Sequence, residues 1–291
     1  MSKIKGFYFI DHNNETYECK LRGYLKKTRN KLNCVVGDLV EFSIEDKVIT
    51  KIIPRTNLLL RPLVANIDRI FITFAAKNPN IDFNMLNLLL LDSFYHNIEP
   101  IVVINKIDLL DDIELHELKS KLSFLDLINI NYLLVSLEKN INLERLKKLF
   151  ENGISAFGGP SGVGKSSIIN ILQNRVNLEI GELSNKLKRG KHTTKGATLL
   201  KLNNNNGYII DTPGFSSMEL PKIKDLEDLK RLFPEIEKYD SSCRFNDCIH
   251  IHEPDCAVKE NVLNGNISAT RYEFYKKVYL ELKTERWNKY D

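Results

Sequence analysis

A glycine-rich loop carries the pattern Gly-x-x-x-x-Gly-Lys-Ser, which binds the phosphates of a nucleotide. Its glycines let backbone N–H groups point at phosphate oxygens, the lysine reaches the β- and γ-phosphates, and the serine hydroxyl can ligate Mg²⁺. A strand is predicted before the loop and a helix after it, which is the context that this motif requires. The predicted phosphate-binding residues are Gly158, Gly159, Pro160, Ser161, Gly162, Val163, Gly164, Lys165 and Ser166.

A second segment, Asn105-Lys106-Ile107-Asp108, has the residues that read a guanine base. The Asp108 carboxylate can accept hydrogen bonds from N1–H and the 2-amino group of guanine, and adenine offers neither donor. Because a wrong base leaves buried polar groups unpaired, such a site discriminates strongly. Asn105 would steady the base and the loop, and the Lys106 side chain would lie along the ring. The two segments together predict a GTP site.

The base-reading segment precedes the phosphate loop, which reverses their order in an ordinary GTP-binding domain. Either one match is accidental or the domain is circularly permuted. Each motif follows a predicted buried strand, which would place both at the carboxyl edge of a sheet, where nucleotides bind in such folds. This placement favours the permuted domain.

The segment Asp211-Thr212-Pro213-Gly214 predicts a switch that senses the γ-phosphate. Asp211 would hold Mg²⁺ together with Ser166, and the Gly214 backbone N–H would contact the γ-phosphate of GTP only. The alternative is a plain turn, since Pro-Gly is common in turns. Many GTPases place a water-orienting glutamine after that glycine, and Phe215 stands there in this chain.

A second loop segment offers polar side chains that could orient the attacking water in place of the missing glutamine. Thr193 or Thr194 would close over Mg²⁺ in the GTP state, and His192 on the same loop would orient the attacking water. The alternative for His192 is an exposed loop histidine. Ser136, which follows a predicted strand, is placed where a backbone contact to the guanine O6 is expected, and a helix cap or turn serine is the alternative.

Three cysteines and a histidine lie within fourteen residues, as Cys243-x₄-Cys248-x-His250-x₅-Cys256. Four such ligands make a closed tetrahedral zinc site with no open position, so this zinc is predicted to be structural. Buried reduced thiols are the alternative. His252 lies two residues after His250, and the spacing alone does not exclude it as the fourth ligand.

Composition and charge narrow the class of protein. No apolar run approaches the roughly 20 residues needed to span a bilayer, so a cytoplasmic protein without membrane contact is expected. The formal net charge is only +4, but the positive charge is clustered. One acid-free basic stretch surrounds Tyr24 and another runs from Lys186 to Lys195, which suits a phosphate-rich partner, although solvated faces would look the same.

Three regions are predicted along the 291 residues. Short strands separated by turns over residues 1–62 predict an OB-like, RNA-binding β-barrel, and a β domain that merely packs on its neighbour is the alternative. Alternating strands and helices over 63–218 predict an α/β domain with a mostly parallel sheet, the circularly permuted P-loop GTPase domain. Residues 219–291 are expected to form a zinc-binding, helical C-terminal domain.

The order of these motifs resembles the ribosome small-subunit-dependent GTPase A (RsgA) family over nearly the whole chain. The resemblance extends to Gly23-Tyr24-Leu25, to Gly37-Asp38-Leu39-Val40 and to the segment Pro54 to Pro62. It implies a GTPase that acts as a monomer, binds the small ribosomal subunit late in its maturation, and hydrolyses GTP to GDP under stimulation by the subunit, which drives release.

The same resemblance assigns roles to individual residues. It implies that His192 is catalytic, that the barrel and the zinc region contact rRNA, and that His250 rather than His252 joins the three cysteines. Lys191 stands where the family commonly has arginine, and Lys195-Gly196 replaces a further threonine pair, which affects only fine positioning.

Two alternative functions stay open at this point. One is a GTPase that acts at another step, such as translation or large-subunit assembly. The other is an RNA-binding assembly factor whose nucleotide site only senses GTP and GDP. A P-loop ATPase or kinase is disfavoured, because Asp108 selects guanine.

Overall fold

A computed structural model gives the fold of the chain. It describes residues 2–4, 7–13, 15–23, 25, 33–60, 63–173, 198–202, 207–211, 220–223 and 225–287. These residues form an N-terminal β domain, a central α/β domain and a C-terminal helical region with the Cys/His cluster, which confirms the predicted fold class.

The N-terminal β domain is a five-stranded sheet. Its strands are β1 (Ser2–Ile4), β2 (Phe7–His12), β3 (Glu15–Leu21), β4 (Val40–Ser43) and β5 (Val48–Ile52). They follow the order β1-β2-β3-β5-β4, with β3 and β5 parallel and the other pairs antiparallel. Alternate residues such as Tyr8, Ile10 and Cys19 face a small core, as the period of two along a strand requires.

The junction to the central domain is a short antiparallel pair, β6 (Leu58–Leu60) and β7 (Leu63–Ala65). The proposed domain boundary at residue 62 falls inside this pair. Val64 also forms a parallel bridge with Val36, and Arg55 makes an ion pair with the buried Asp38 carboxylate at 2.6 Å. Backbone and charge contacts therefore fasten the junction to the β domain.

A six-stranded sheet forms the centre of the molecule. Its strands are β8 (Arg69–Ala75), β9 (Glu99–Asn105), β10 (Tyr132–Leu134), β11 (Gly153–Gly158), β12 (Thr198–Lys201) and β13 (Gly207–Asp211). The spatial order is β10-β9-β8-β11-β13-β12, and only the edge strand β12 is antiparallel to its neighbour. The carboxyl ends of the five parallel strands therefore share one edge, where nucleotide sites form.

Helices cover both faces of this sheet. They are α1 (Phe83–Tyr95), α2 (Asp112–Leu122), α3 (Phe124–Leu127), α4 (Leu143–Leu149) and α5 (Lys165–Leu172). Successive residues of β8 face opposite sides: Ile70 packs in the core that contains α1, and Phe71 stacks on Phe150 at a centroid distance of 3.7 Å. Asp82 caps the start of α1, since its carboxylate accepts hydrogen bonds from the backbone N–H groups of Asn84 and Met85.

The C-terminal region contains α6 (Leu226–Arg231), α7 (Pro234–Asp240), α8 (Ala257–Leu263) and α9 (Ala269–Trp287). Its core includes Leu91 of α1, so the region packs on the central domain. A buried Arg271 of α9 donates to Glu235 of α7 at 2.6 Å and to Asn87 of α1 at 3.3 Å. Among the described residues, no helix combines the length and apolarity that crossing a bilayer would need.

Candidate nucleotide site and metal centre

Two glycines of the phosphate loop occupy positions where a side chain would collide with the neighbouring backbone or side chain. Gly159 has a φ of +116°, and a Cβ there would lie 2.1 Å from the carbonyl oxygen of Thr73 in β8. Gly164 has a φ of +107°, and its Cβ would lie 2.3 Å from Nδ2 of Asn105. Both positions require glycine, because left-handed backbone and close approach coincide there. The loop therefore packs directly on β8 and the end of β9.

The Lys165 side chain folds back over the phosphate loop. Its Nζ donates to the carbonyl oxygens of Gly159, at 2.7 Å, and of Pro160. Burial lowers the pKa of Lys165, because loss of water disfavours the ammonium. Ser166 follows in the first turn of α5 and is exposed. A phosphate group here would meet a partly desolvated ammonium and the positive end of a helix.

Asn105 ties the base-reading segment to the phosphate loop. The side chain is 3% exposed, and Nδ2 donates to the backbone carbonyl of Val163 at 2.9 Å. Its Oδ1 accepts from the backbone N–H of Leu137 at 3.3 Å. One buried amide thus joins three segments that are far apart in the chain, which brings the two predicted motifs together at one edge of the sheet.

Asp108 is held by Ser136 through a side-chain contact that the sequence did not reveal. The Ser136 hydroxyl donates to Oδ1 of Asp108, and its oxygen accepts from the backbone N–H of Lys139 at 3.0 Å. Ser136 is fully buried. The serine therefore orients the carboxylate and leaves its other oxygen available for a base. The spacing of 28 residues gives no signal of this pairing.

Lys106 contacts the loop that follows β8. It has a left-handed backbone, with a φ of 63°, and Nζ donates to the carbonyl oxygen of Asn78 at 2.7 Å. Lys77 in the same loop pairs with Glu114 of α2 at 2.5 Å. Ile107 begins a short 3₁₀ turn that contains Asp108. These contacts fix the base-reading segment on both sides.

The predicted switch residues are described only in part. Asp211 is the last residue of β13, and its backbone lies opposite Thr198 of β12. The segment that would carry His192, Thr193 and Thr194 lies outside the described residues, as does Gly214. Most of the basic stretch around Tyr24 and all of the stretch from Lys186 to Lys195 also lie outside them.

The Cys/His cluster converges as the spacing predicts. One ligand atom from each of Cys243, Cys248, His250 and Cys256 lies within 4.8 Å of all the others. Nδ1 of the imidazole faces the sulfurs of Cys243 and Cys256 at 3.5 and 3.4 Å. His252 is exposed and does not belong to the group. Three soft thiolates and one imidazole, buried and closely spaced, fit a structural zinc ion.

The backbone of the metal loop is fixed from two sides. Tyr272 of α9 donates to the carbonyl oxygen of His250 at 2.6 Å, and Tyr275 donates to that of Ile249 at 3.0 Å. The Glu253 carboxylate accepts from the backbone N–H groups of three residues of the loop, among them Ile251 at 3.1 Å. Burial raises the pKa of Tyr272 to about 12, so this phenol remains a donor at neutral pH. The loop is thus held in the form that converges its ligands.

Two protein families match the chain in adjoining ranges. The RsgA N-terminal domain matches residues 1–52, and the RsgA GTPase domain matches residues 52–221. A protein of Fusobacterium nucleatum named small ribosomal subunit biogenesis GTPase RsgA is 55% identical over 288 residues, which cover 99% of this chain and 100% of that protein. A Clostridium beijerinckii protein with the same name is 42% identical, with 99% and 97% covered.

Solved structures give the same result. YjeQ from Thermotoga maritima superposes with a TM-score of 0.82 at 33% identity, over 96% of this chain and 95% of that one. YloQ, described as a circularly permuted GTPase, superposes with a TM-score of 0.81 at 29% identity, over 97% and 93%. With a base-reading segment that precedes the phosphate loop and joins it in space, the protein belongs to the RsgA family of circularly permuted GTPases.

Proposed function

We propose that this GTPase binds the small ribosomal subunit in the cytoplasm and assists its late maturation, with GTP hydrolysis stimulated by the subunit. The observation that carries the nucleotide part is the buried Asn105 contact, which assembles the base-reading segment and the phosphate loop into one site. The names of the relatives, small ribosomal subunit biogenesis GTPase, support the choice of particle.

In the proposed site, Asp108 accepts from guanine while Ser136 holds its carboxylate, and Asn105 and Lys106 steady the loop around the base. Phosphates lie on the backbone N–H groups of the glycine-rich loop. The residues proposed to bind GTP are Asn105, Lys106, Ile107, Asp108, Ser136, Gly158 to Ser166, Asp211 and Gly214. Lys165 neutralises charge on the β- and γ-phosphates, as its position over the loop allows.

For hydrolysis, Ser166 and Asp211 are the proposed protein partners of Mg²⁺, which would neutralise charge on the phosphates. His192 orients the attacking water, and Thr193 or Thr194 closes the site. Phe215 after the switch glycine has no polar group for this task, which supports a histidine from another loop. Cys243, Cys248, His250 and Cys256 would hold one zinc ion, whose role is to keep the metal loop folded.

Contact with rRNA is proposed for the β domain and the zinc region. Lys20 and Arg22 are exposed at the end of β3, at the start of the basic stretch. Each phosphate that such a side chain neutralises releases a counterion, so binding to the subunit should weaken steeply with salt.

Phosphate release with and without purified small subunits tests the proposal. Strong stimulation by small subunits and little by large subunits is expected, and the reverse preference would refute the proposed particle. Hydrolysis that stays at background with every particle would support a sensor of GTP and GDP. His192→Ala should lower turnover and leave GDP affinity intact, whereas His116→Ala, at an exposed position of α2, should change neither.

A further inference from the structure

An acidic side chain of the β domain contacts two strands of the central sheet. Asp11, near the end of β2, accepts hydrogen bonds from Nζ of Lys201 at 2.7 Å and from the hydroxyl of Tyr208 at 2.9 Å. The Lys201 ammonium also lies 5.8 Å from the centre of the Tyr208 ring. A residue of the first domain thus holds one residue of β12 and one of β13.

These two residues form a direct cross-strand pair. In the antiparallel register of β12 and β13, Lys201 lies opposite Tyr208, and Thr198 lies opposite Asp211. The Asp11 carboxylate therefore binds both strands of the β12–β13 hairpin at the end that carries Lys201 and Tyr208. The other end is about 10 Å away, since a strand advances about 3.3 Å per residue.

That other end leads into both predicted switch segments. The chain enters β12 at Thr198, shortly after His192, Thr193 and Thr194, and leaves β13 at Asp211 toward Gly214. Among the strands that the structure describes, β12 is at the edge and pairs with β13 alone, whereas β13 also pairs with the central strand β11. A displacement of Lys201 and Tyr208 would therefore also shift Thr198 and Asp211, the strand ends that connect to the switch segments.

The environment of this contact makes it stronger than a surface ion pair. The Asp11 side chain is 19% exposed and that of Lys201 is 34% exposed. Burial alone would raise the pKa of Asp11, but the hydrogen bonds from Lys201 and Tyr208 outweigh it and lower the pKa. Burial and the Asp11 carboxylate raise the pKa of Tyr208 to about 12. A charge-assisted pair that is partly shielded from water and joined by a phenol hydroxyl has a more defined geometry than a fully exposed pair.

We propose that Asp11 is a positioning residue that transmits the state of the β domain to the switch hairpin, β12 and β13, and so sets the response of GTP hydrolysis to a bound particle. The inference rests on the proposed function, in which the β domain docks on rRNA. Docking on rRNA would shift or immobilise the β domain. Asp11 would then change the positions of Lys201 and Tyr208, and the hairpin would change the positions of the switch segments.

Three variants of the full-length protein test the assignment. Asp11→Ala removes the contact, and Glu18→Gln removes one negative charge from an exposed position of β3 as a control. The charge swap Asp11→Lys with Lys201→Asp restores an ion pair. Asp11→Ala should lower turnover stimulated by small subunits at least about fivefold. Unstimulated turnover, GDP affinity and binding to the subunit should stay within about twofold.

The swap should recover most of the stimulation, which a merely unfolded β domain would not allow. The proposal would be overturned if small subunits stimulated the Asp11→Ala variant as strongly as the Glu18→Gln variant. Hydrogen exchange of the free protein tests whether the Asp11 contact stabilises the hairpin. Asp11→Ala should speed amide exchange across residues 198–201 and 207–211. Unchanged exchange there would overturn the proposal, even if the wild type proved insensitive to small subunits and the proposed function failed.

Discussion

Oδ1 of Asp240 lies 2.8 Å from Nε2 of His250, while the other ring nitrogen of that histidine faces the sulfurs of the metal cluster. An imidazole that donates its Nε2 proton to a carboxylate has its lone pair on Nδ1, which is the atom that a zinc ion needs. A carboxylate at this distance therefore favours the tautomer of His250 that is protonated at Nε2 and leaves the Nδ1 lone pair free.

Removal of this carboxylate should weaken zinc binding. We expect Asp240→Ala to lower zinc affinity about 10- to 100-fold, because the ring loses the partner that orients it. A chromophoric chelator titrated against the zinc-loaded protein measures the change. Asp247→Ala, at an exposed position in the same loop, serves as the control. Equal zinc retention by the two variants would rule out the role of Asp240.

The buried ion pair between Arg271 and Glu235 should hold α9 on α7 within the C-terminal region. Arg271→Met leaves the Glu235 carboxylate buried without its partner, which should reduce the free energy of unfolding by about 3–5 kcal/mol. The double variant with Glu235→Gln should regain part of this loss, since no unpaired charge remains. Urea unfolding followed by circular dichroism measures both.

An exposed ion pair provides the comparison. Arg231 and Asp228 of α6 lie 3.3 Å apart with most of both side chains in solvent. Arg231→Met should change the free energy of unfolding by no more than about 1 kcal/mol. A loss for Arg271→Met as small as this one would mean that the buried pair does not hold α9 on α7.

Base selection should depend on the Asp108 carboxylate. Asp108→Asn removes one acceptor and the charge that guanine requires, so GTP affinity should fall about 100-fold or more. Xanthine carries a carbonyl where guanine has its amino group, so the asparagine amide can donate to it and XTP should gain affinity. Competition against a fluorescent GDP analogue compares GTP, XTP and ATP, with Asp112→Asn at the exposed start of α2 as the control. Unaltered GTP preference in Asp108→Asn would exclude this residue as the base reader.

Nucleotide affinity should depend on pH through Lys165. Burial lowers the pKa of this lysine in the free protein, and bound phosphates would raise it. Between the two pKa values, binding takes up a proton, so GDP affinity should fall as the pH rises through that window. The window begins below the ordinary lysine value of 10.5. The Lys165→Arg variant stays charged and reports the titration of the nucleotide alone; identical pH profiles would contradict the prediction.

Sequence patterns located the elements whose signals are local. The buried strands predicted before the base-reading segment and before the phosphate loop are β9 and β11 of the central sheet. Helix α2 was missed because only two of its eleven residues, Leu118 and Leu122, are buried, which leaves a weak apolar period. Its capping box, Asp111 with Glu114, was a local signal that would have revealed it.

The residues of the candidate site also fall into two groups, those that local spacing predicts and those that only the fold brings together. Motif spacing predicts Asp108 and the phosphate loop as nucleotide-site residues, and it predicts the Cys/His cluster that the structure brings together. The partners that orient them come from elsewhere in the chain: Ser136 for Asp108, Val163 for Asn105 and Asp240 for His250. Such pairings depend on the three-dimensional fold, and no periodicity or local spacing encodes them.

The position of β11 at the centre of the sheet determines when the site can form during synthesis. The chain through residue 136 contains β8, β9 and β10, so the base-reading segment leaves the ribosome before β11 is synthesised. β11 is synthesised later and pairs with β8, and this pairing places the phosphate loop beside Asn105. In a domain with the ordinary order, the nascent chain presents its phosphate loop first. Here the chain presents the base-reading segment first, and the nucleotide site is complete only after the second half of the domain has been synthesised.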